Sequence, residues 1–423
     1  MRDYVTSLNC KKLAIVFLGL YALPAFAYID PGTGSAIFYV VSGIVVSIYF
    51  ALRSAYYRIF EYIFTIGKKD QQCEIAIHCE DPRYETTFLP IISNLIGMGM
   101  GVTLFTMYTR DESFVKLPSE VTVISIPPGM LGYAFVNNIR AIVLLTTTPQ
   151  LDVMTFRRSK KVNHYVIVQH ALGESRYVRP FAYDYYDTVF CCGPIAKANI
   201  QKMEILRNSK KKRLLNTGVP HYEVFMESMQ NKFHKDARST VLVAPSWGPL
   251  SMFETIGIDF ISQIAEHFNV IVRPHPQMRI SQRDLYEKIC LIQGVEVNTS
   301  STPISAMNAA DILLSDISGI AQEFAFLYEK PVLIINQGRN LGGLEGELLG
   351  GGSELLEICK DFIVPIDPSE VSKLKEYLEY HLHSYNRSHM LEIRDSIFFN
   401  YGCASKVAAE QLVEIYMNER GQR

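Results

Sequence analysis

The stretch AADILLSDISGIAQEFAFLYEKPVLIIN, Ala309 to Asn336, decides how this chain folds. Asp311 to Leu314 reads as a buried strand, followed by a tight polar turn containing Ser315, Asp316, Ser318 and Gly319. Ile320 to Tyr328 carries an apolar face at helical spacing, and Lys330-Pro331 opens a second apolar run. Continuous apolar strands joined through a helix belong to a parallel α/β sheet, whose two faces are both covered. Ligands of such sheets sit beyond the carboxyl ends of the strands, which is where this turn falls. Ser318 and Gly319 stand where the helix begins, and the unpaired N–H groups and positive dipole end there suit a phosphate. Glu323 lies about one helical turn further on. The plain alternative has Ser318 only capping the helix and Glu323 in solvent.

Working outward, TVLVAPSW is a strand whose carboxyl-end loop is Pro245-Ser246-Trp247-Gly248, with a helix expected from Phe253 to Phe268. VIVRPHPQ is another, ending in Arg273-Pro274-His275-Pro276. Two prolines hold that loop extended and aim Arg273 and His275 at the crevice that Ser246 and Ser318 border. The fork of donors on Arg273 suits phosphate, and His275 can donate a further bond or offset charge. Alternatively, the prolines only shape a surface loop. DFIVPI is a last strand, and helices over Glu370 to Tyr385 and Ala404 to Met417 close a C-terminal Rossmann-like domain spanning 240–423.

Upstream, CEIAIHC, GVTLFTM, VTVISI, IRAIVLLTTT, HYVIVQH and TVFCCG repeat the strand signal, with a helix from Tyr84 to Ile96. They make a first Rossmann-like domain over 73–218, joined to the second by a linker over 219–239. His170 follows the buried run Tyr165 to Val168, so it stands at a strand's carboxyl end, where its near-neutral pKa suits it to take a proton from a hydroxyl. A histidine there can equally satisfy a backbone carbonyl. Asp184 and Asp187 read as capping the next strand. Two basic clusters, Arg157 to Lys161 and Arg207 to Arg213, either attract anionic lipid or form a solvated face.

Residues 1–70 differ in kind. No charge falls between Lys12 and Asp30, and the run over 13–29 reads as signal-like, with Ala25-Phe26-Ala27 fitting a cleavage site. A second uncharged run over 35–52 is a credible transmembrane helix followed by Arg53, Arg58, Lys68 and Lys69. One or two apolar helices would thus anchor the chain in the cell membrane, with the catalytic domains on the cytoplasmic side. A run lying in the interface is the alternative. The 423 residues carry a net charge of −2, which argues against a dedicated nucleic-acid binder. The eight cysteines form no CxxC pair and no zinc spacing, so they read as reduced thiols. Oligomeric state is left open.

Taken in order, VLVAPSW, RPHP, AADILLSDISGIAQEFAFLYEKPVLII and NYGCASKVAAEQL resemble the CDP-glycerol glycerophosphotransferase family of teichoic-acid-type polymerases and primases. LDVMTFRRSKKVNHYVIVQHA extends the likeness into the first domain. The resemblance implies an α/β GT-B-like fold, two Rossmann-like domains facing a cleft. It also implies metal-independent transfer of a polyol phosphate from CDP-glycerol or a similar CDP-polyol, with no cofactor, to a hydroxyl of a lipid-linked or cell-envelope glycan acceptor. By the same resemblance His170 is the base, His275, of the family's His-Pro pair, is a second catalytic histidine, and Asp316, Ser318, Gly319 and Glu323 bind substrate, to which the strand-end loops add Arg273 and Ser246. Two departures stand out: Gln169-His170-Ala171 replaces the family's frequent Trp-His-Gly, and Gly319 replaces the second serine of the turn. Competing readings are a GT-B glycosyltransferase that uses a nucleotide-sugar and a non-catalytic, membrane-tethered nucleotide-binding protein.

Overall fold

The computed structural model describes residues 40–49, 73–109, 117–229, 238–249, 251–300, 302–316, 319–335 and 343–421. The chain divides into two units, Met1–Lys68 and Lys69–Arg423. Of the first, residues 40–49 are described, a helical stretch with Val40, Ile44, Val45 and Ile48 exposed. The rest of the apolar runs over 13–29 and 35–52 lies outside the described residues. Among the described residues no helix is long and apolar enough to cross a membrane.

The second unit is built on two parallel sheets. The first contains β1 (Cys73–Cys79), β2 (Val102–Thr106), β3 (Thr122–Ser125), β4 (Ala141–Thr146), β5 (Val162–Val168), β6 (Thr188–Cys191) and β7 (Arg213–Asn216), in the order β3-β2-β1-β4-β5-β6-β7. The second contains β8 (Thr240–Ala244), β9 (Asn269–Val272), β10 (Glu296–Val297), β11 (Ile312–Ser315), β12 (Val332–Ile335) and β13 (Ile363–Ile366), in the order β10-β9-β8-β11-β12-β13. Every pairing is parallel; for example Ile75 stands opposite Val102 and Val143, and Leu314 opposite Val243 and Leu333. In each sheet the order reverses beside its first strand, which opens a crevice beyond β1 and β4 and another beyond β8 and β11. Two Rossmann-like sheets are therefore present, as the apolar runs predict. Helix positions follow from what covers those sheets: α1 (Glu85–Gly97) buries Phe88, Ile91, Ile92 and Leu95 against the β1 face, and its carboxyl end turns through Gly99 at a φ of +77°.

Several local expectations are corrected. The helix expected from Phe253 to Phe268 is two short ones, Met252–Thr255 and Asp259–Ala265, because Gly257 between them takes a φ of +75° that no helix accommodates. The basic run that ends at Arg213 leads into an edge strand, β7. Most of its charge is neutralised within the fold: Arg207 pairs with Asp184 (3.1 Å) and Glu345, Lys212 with Glu204 (3.1 Å) and Arg213 with Glu414 (2.6 Å). In the other cluster Arg158 pairs with Asp187, whose Oδ2 also accepts from the Tyr165 N–H at 2.9 Å. Asp184 and Asp187 are thus partners of arginines and not strand caps.

The last helix also departs from expectation. Ala404–Gly421 does not close the second lobe; it crosses back and buries Ala408, Ala409, Leu412, Ile415 and Tyr416 against Ile75, Ile77, Phe88 and Ile91 of the first. Its approach runs over two glycines. A Cβ on Gly193 would stand 2.0 Å from the Ile397 carbonyl oxygen, and one on Gly218 (φ +99°) 2.1 Å from that of Phe399. Leu412 and Ile415 alone are worth about 2 kcal/mol each in removed apolar surface. The lobes also share a core. Leu172, Cys192 and Ala196 from the first meet Tyr222, from α2 (His221–Ser228), and Ala321, Phe324 and Phe326, from α3 (Gly319–Leu327).

Candidate active site

β5 delivers His170. Gln169 is buried and ties the strand's end down, its Oε1 accepting from the Cys192 N–H (2.9 Å) and its Nε2 donating to the Tyr183 hydroxyl (3.1 Å). The next residue is thereby turned outward: His170 keeps solvent access, its ring centroid 4.6 Å from that of Tyr84. Protein packed beside the exposed ring, and then the charges of His221 and Arg83, lower its pKa below the ordinary 6.5. At neutral pH the imidazole is unprotonated and able to accept a proton.

From the second lobe β9 delivers Arg273 and His275. The half-buried His275 accepts the Gln277 N–H on Nδ1 at 3.1 Å, so the neutral ring carries its proton on Nε2. Burial and then the Arg83 charge lower its pKa, against the pull of Asp316. Arg83 belongs to the loop after β1 and is held to Asp81 by two bonds of 2.8 and 2.9 Å. One first-lobe guanidinium therefore bears on both His170 and His275. Trp247 is half exposed with its ring 6.1 Å from that of His275.

Other expected residues turn out to serve each other. Asp316 is 2% exposed; the Ser246 N–H donates to both its oxygens (2.9 and 3.0 Å), and the Ser246 hydroxyl (2.8 Å) and Met252 N–H (3.0 Å) donate to Oδ2. Its carboxylate fixes the loop after β8. Arg273 is likewise buried, its Nη1 donating to Asn298 Oδ1 (2.5 Å), the Ser300 carbonyl (3.0 Å) and the Ser300 hydroxyl (3.2 Å). Burial lowers its pKa, and among the described residues no carboxylate pairs with it. Gly319 is exposed at the start of α3, where a Cβ would meet nothing within 4 Å, so space does not demand a glycine there. Ser318 lies outside the described residues. Glu323 points its Oε1 to within 3.5 Å of His221 Nε2.

Arg83 and His221 were not singled out by the sequence reading, though a positional signal existed for each. Arg83 follows β1, the strand beside the crevice, and His221 follows Gly218-Val219-Pro220 where the first lobe ends. Among the described residues no cluster of three or more His, Cys, Asp or Glu side chains is placed to hold a metal ion.

Residues 147–339 match the family model described as CDP-Glycerol:Poly(glycerophosphate) glycerophosphotransferase. That span begins just after β4 and ends beyond β12, so it contains His170, Ser246, Arg273, His275, Asp316 and Glu323. No curated protein sequence matches the chain. Among solved structures the chain is similar to the wall teichoic acid polymerase TagF, with a TM-score of 0.56 and 12% identity over 89% of this chain and 99% of that one. It is similar also to a putative UDP-N-acetylglucosamine 2-epimerase from Listeria monocytogenes (TM-score 0.54, 12% identity, 84% and 98% covered). A third is S. aureus MnaA with UDP (TM-score 0.53, 12% identity, 82% and 97% covered). At such identities the likeness is one of fold, a GT-B-like pair of Rossmann lobes. Over residues 147–339, a little under half of its length, the chain is similar to the CDP-Glycerol:Poly(glycerophosphate) glycerophosphotransferase family, a family of transferases.

Proposed function

We propose that this protein transfers glycerol phosphate, or a related polyol phosphate, from a CDP-activated donor to a hydroxyl of a lipid-linked or cell-envelope glycan acceptor, at the cytoplasmic face of the cell membrane. One observation carries the reading: His170 is exposed at the end of β5 with its ring against Tyr84, the neighbour of Arg83, and the Arg83 charge also reaches His275 of the second lobe. A base and a diphosphate site can then face each other across the cleft. Membrane association rests on the uncharged runs near the N-terminus and on the exposed apolar side chains of residues 40–49.

In this scheme the acceptor oxygen attacks the donor's β-phosphorus and its proton passes to His170. The bond from that phosphorus to the bridging oxygen breaks, and CMP leaves with the electron pair. His275 Nε2–H, the amides at the start of α3 and Ser318, the last assigned by resemblance alone, receive the leaving charge. Glu323 keeps one carboxylate oxygen for the ribose while the other faces His221. Arg273, Asp316 and Ser246 act by holding the loops around β8 and β9. No cofactor enters the scheme.

The test is to incubate membranes carrying the full chain with labelled CDP-glycerol and to follow CMP together with lipid-linked product. His170→Ala should lower turnover by about 10² to 10⁴, the usual worth of a general base. Full turnover in that variant removes the base assignment, and release of a nucleoside diphosphate from a nucleotide-sugar in place of CMP would favour the glycosyltransferase reading.

A further inference from the structure

Beyond β1 and β2 the first lobe has a hollow of about 300 Å³ that the scheme above does not use, lined by Glu80, Asp81, Arg83, Tyr84, Met107 and Tyr133. The volume is at the lower limit for a small-molecule site. A larger open depression on the helix Leu374–Ser384 is lined by that helix alone, so no groups from another element converge on it. The first-lobe hollow does gather groups from separate segments. Glu80 and Asp81 come from the end of β1, Met107 from the end of β2, and Tyr133 from the helix Met130–Val136. Tyr133 donates its hydroxyl to Glu80 Oε2 at 2.9 Å, which orients the carboxylate and leaves it further acceptor capacity.

The chemistry of this lining excludes some occupants. Two carboxylates and one guanidinium already paired with Asp81 repel a free diphosphate, so the donor's charged part does not belong here. Carboxylate acceptors beside aromatic faces and a thioether instead suit a neutral group that offers hydroxyl donors along with C–H surface. The hollow also adjoins the cleft, because Tyr84, one of its walls, packs against His170 at 4.6 Å between ring centroids.

We infer that this hollow is the acceptor site, and that Glu80 and Tyr84 hold the terminal vicinal diol of a polyol or sugar unit so that one of the diol's own hydroxyls reaches His170. The inference rests on the transferase reading for its chemistry, but binding to the hollow can be measured without turnover. The first phosphodiester of the acceptor remains outside, on the Arg83 side. Glu80 and Tyr133 therefore set acceptor affinity and leave donor affinity alone.

The experiment uses the full chain in detergent and two probes: a glycerol phosphate trimer, and the same trimer with its terminal diol capped as an isopropylidene ketal. Calorimetry should show the uncapped trimer binding at least tenfold more tightly than the capped one. Glu80→Gln should remove most of that difference while CDP-glycerol binds as in the wild type. Tyr133→Phe, which frees the carboxylate without altering shape, should give a smaller loss in the same direction, and a thermal melt of each variant separates local effects from unfolding. Equal binding of the two trimers, no binding of either, or parallel loss of CDP-glycerol binding in Glu80→Gln would overturn the inference. Absence of CMP release from CDP-glycerol by the wild type would instead count against the transferase reading, whatever the trimers do.

Discussion

Replacing Asp316 by Asn tests whether this carboxylate works on the substrate or on the loop after β8. The side chain is 2% exposed and accepts from three donors, the Ser246 N–H and O–H and the Met252 N–H. Asparagine keeps one of those oxygens and turns an NH₂ toward a donor where the other stood. A hydrogen bond to a charged acceptor is worth about 1.5–3 kcal/mol, and an unpaired buried donor costs about 1–3 kcal/mol, so the loss should be about 3 kcal/mol. With a urea slope of about 2–3 kcal/mol/M, the midpoint of the second lobe falls by about 1 M. The chain's one tryptophan, Trp247, sits in the affected loop, so its fluorescence reports the transition directly. Donor KM should rise in step with the lost stability, and Ser246→Ala, which removes only the 2.8 Å hydroxyl bond, should cost about 2 kcal/mol. If Asp316→Asn unfolds at the wild-type midpoint yet loses turnover, the loop-holding role is wrong and the carboxylate acts on the ligand.

Two further outcomes follow from buried polar groups. His78 is fully buried in β1, with Nδ1 3.2 Å from the Thr146 hydroxyl, and burial lowers its pKa to about 3. Between pH 6.5 and that value the unfolded chain binds a proton that the folded one does not, so stability falls with pH by about 1.4 kcal/mol per unit. Urea midpoints at pH 6.5 and 4.5 should show about 2 kcal/mol of acid destabilisation in the wild type that His78→Gln lacks; equal slopes refute the point. Glu345 is 1% exposed and bonded to Arg207 and, at 2.8 Å, to the Phe181 N–H, which fastens residues 343–356 to the first lobe. Glu345→Ala should cost about 3 kcal/mol and raise hydrogen exchange over that segment, and unchanged exchange would show that the fastening lies elsewhere.

The strands were the most legible part of the fold, because strands buried on both faces write themselves as unbroken apolar runs such as AIVLLT and VLII. β7 was hidden by the lysines before it, and the break at Gly257 by a helical stripe that continues across it. Individual site residues were less legible than their positions. His170 and His275 could be placed at strand ends from neighbouring apolar runs. That Asp316 would face Ser246 depends on β8 and β11 being neighbours, a pairing between residues 70 positions apart that no local pattern encodes. Arg83 and His221 acquire their roles only once the lobes meet. The destination of the last helix was illegible for a similar reason, since an amphipathic helix records that one face is covered and not by which sheet.

That destination bears on biosynthesis. A ribosome that has finished β7 still has roughly 190 residues to add before the final helix exists, about 10–40 s of elongation at typical rates. Until then the surface over Ile75, Ile77 and Ile91 is covered only in part, by α1, so the nascent first lobe would be a client for chaperones throughout that interval. Chains shortened at the carboxyl terminus should accumulate as aggregates, even when the cut removes nothing that borders the cleft.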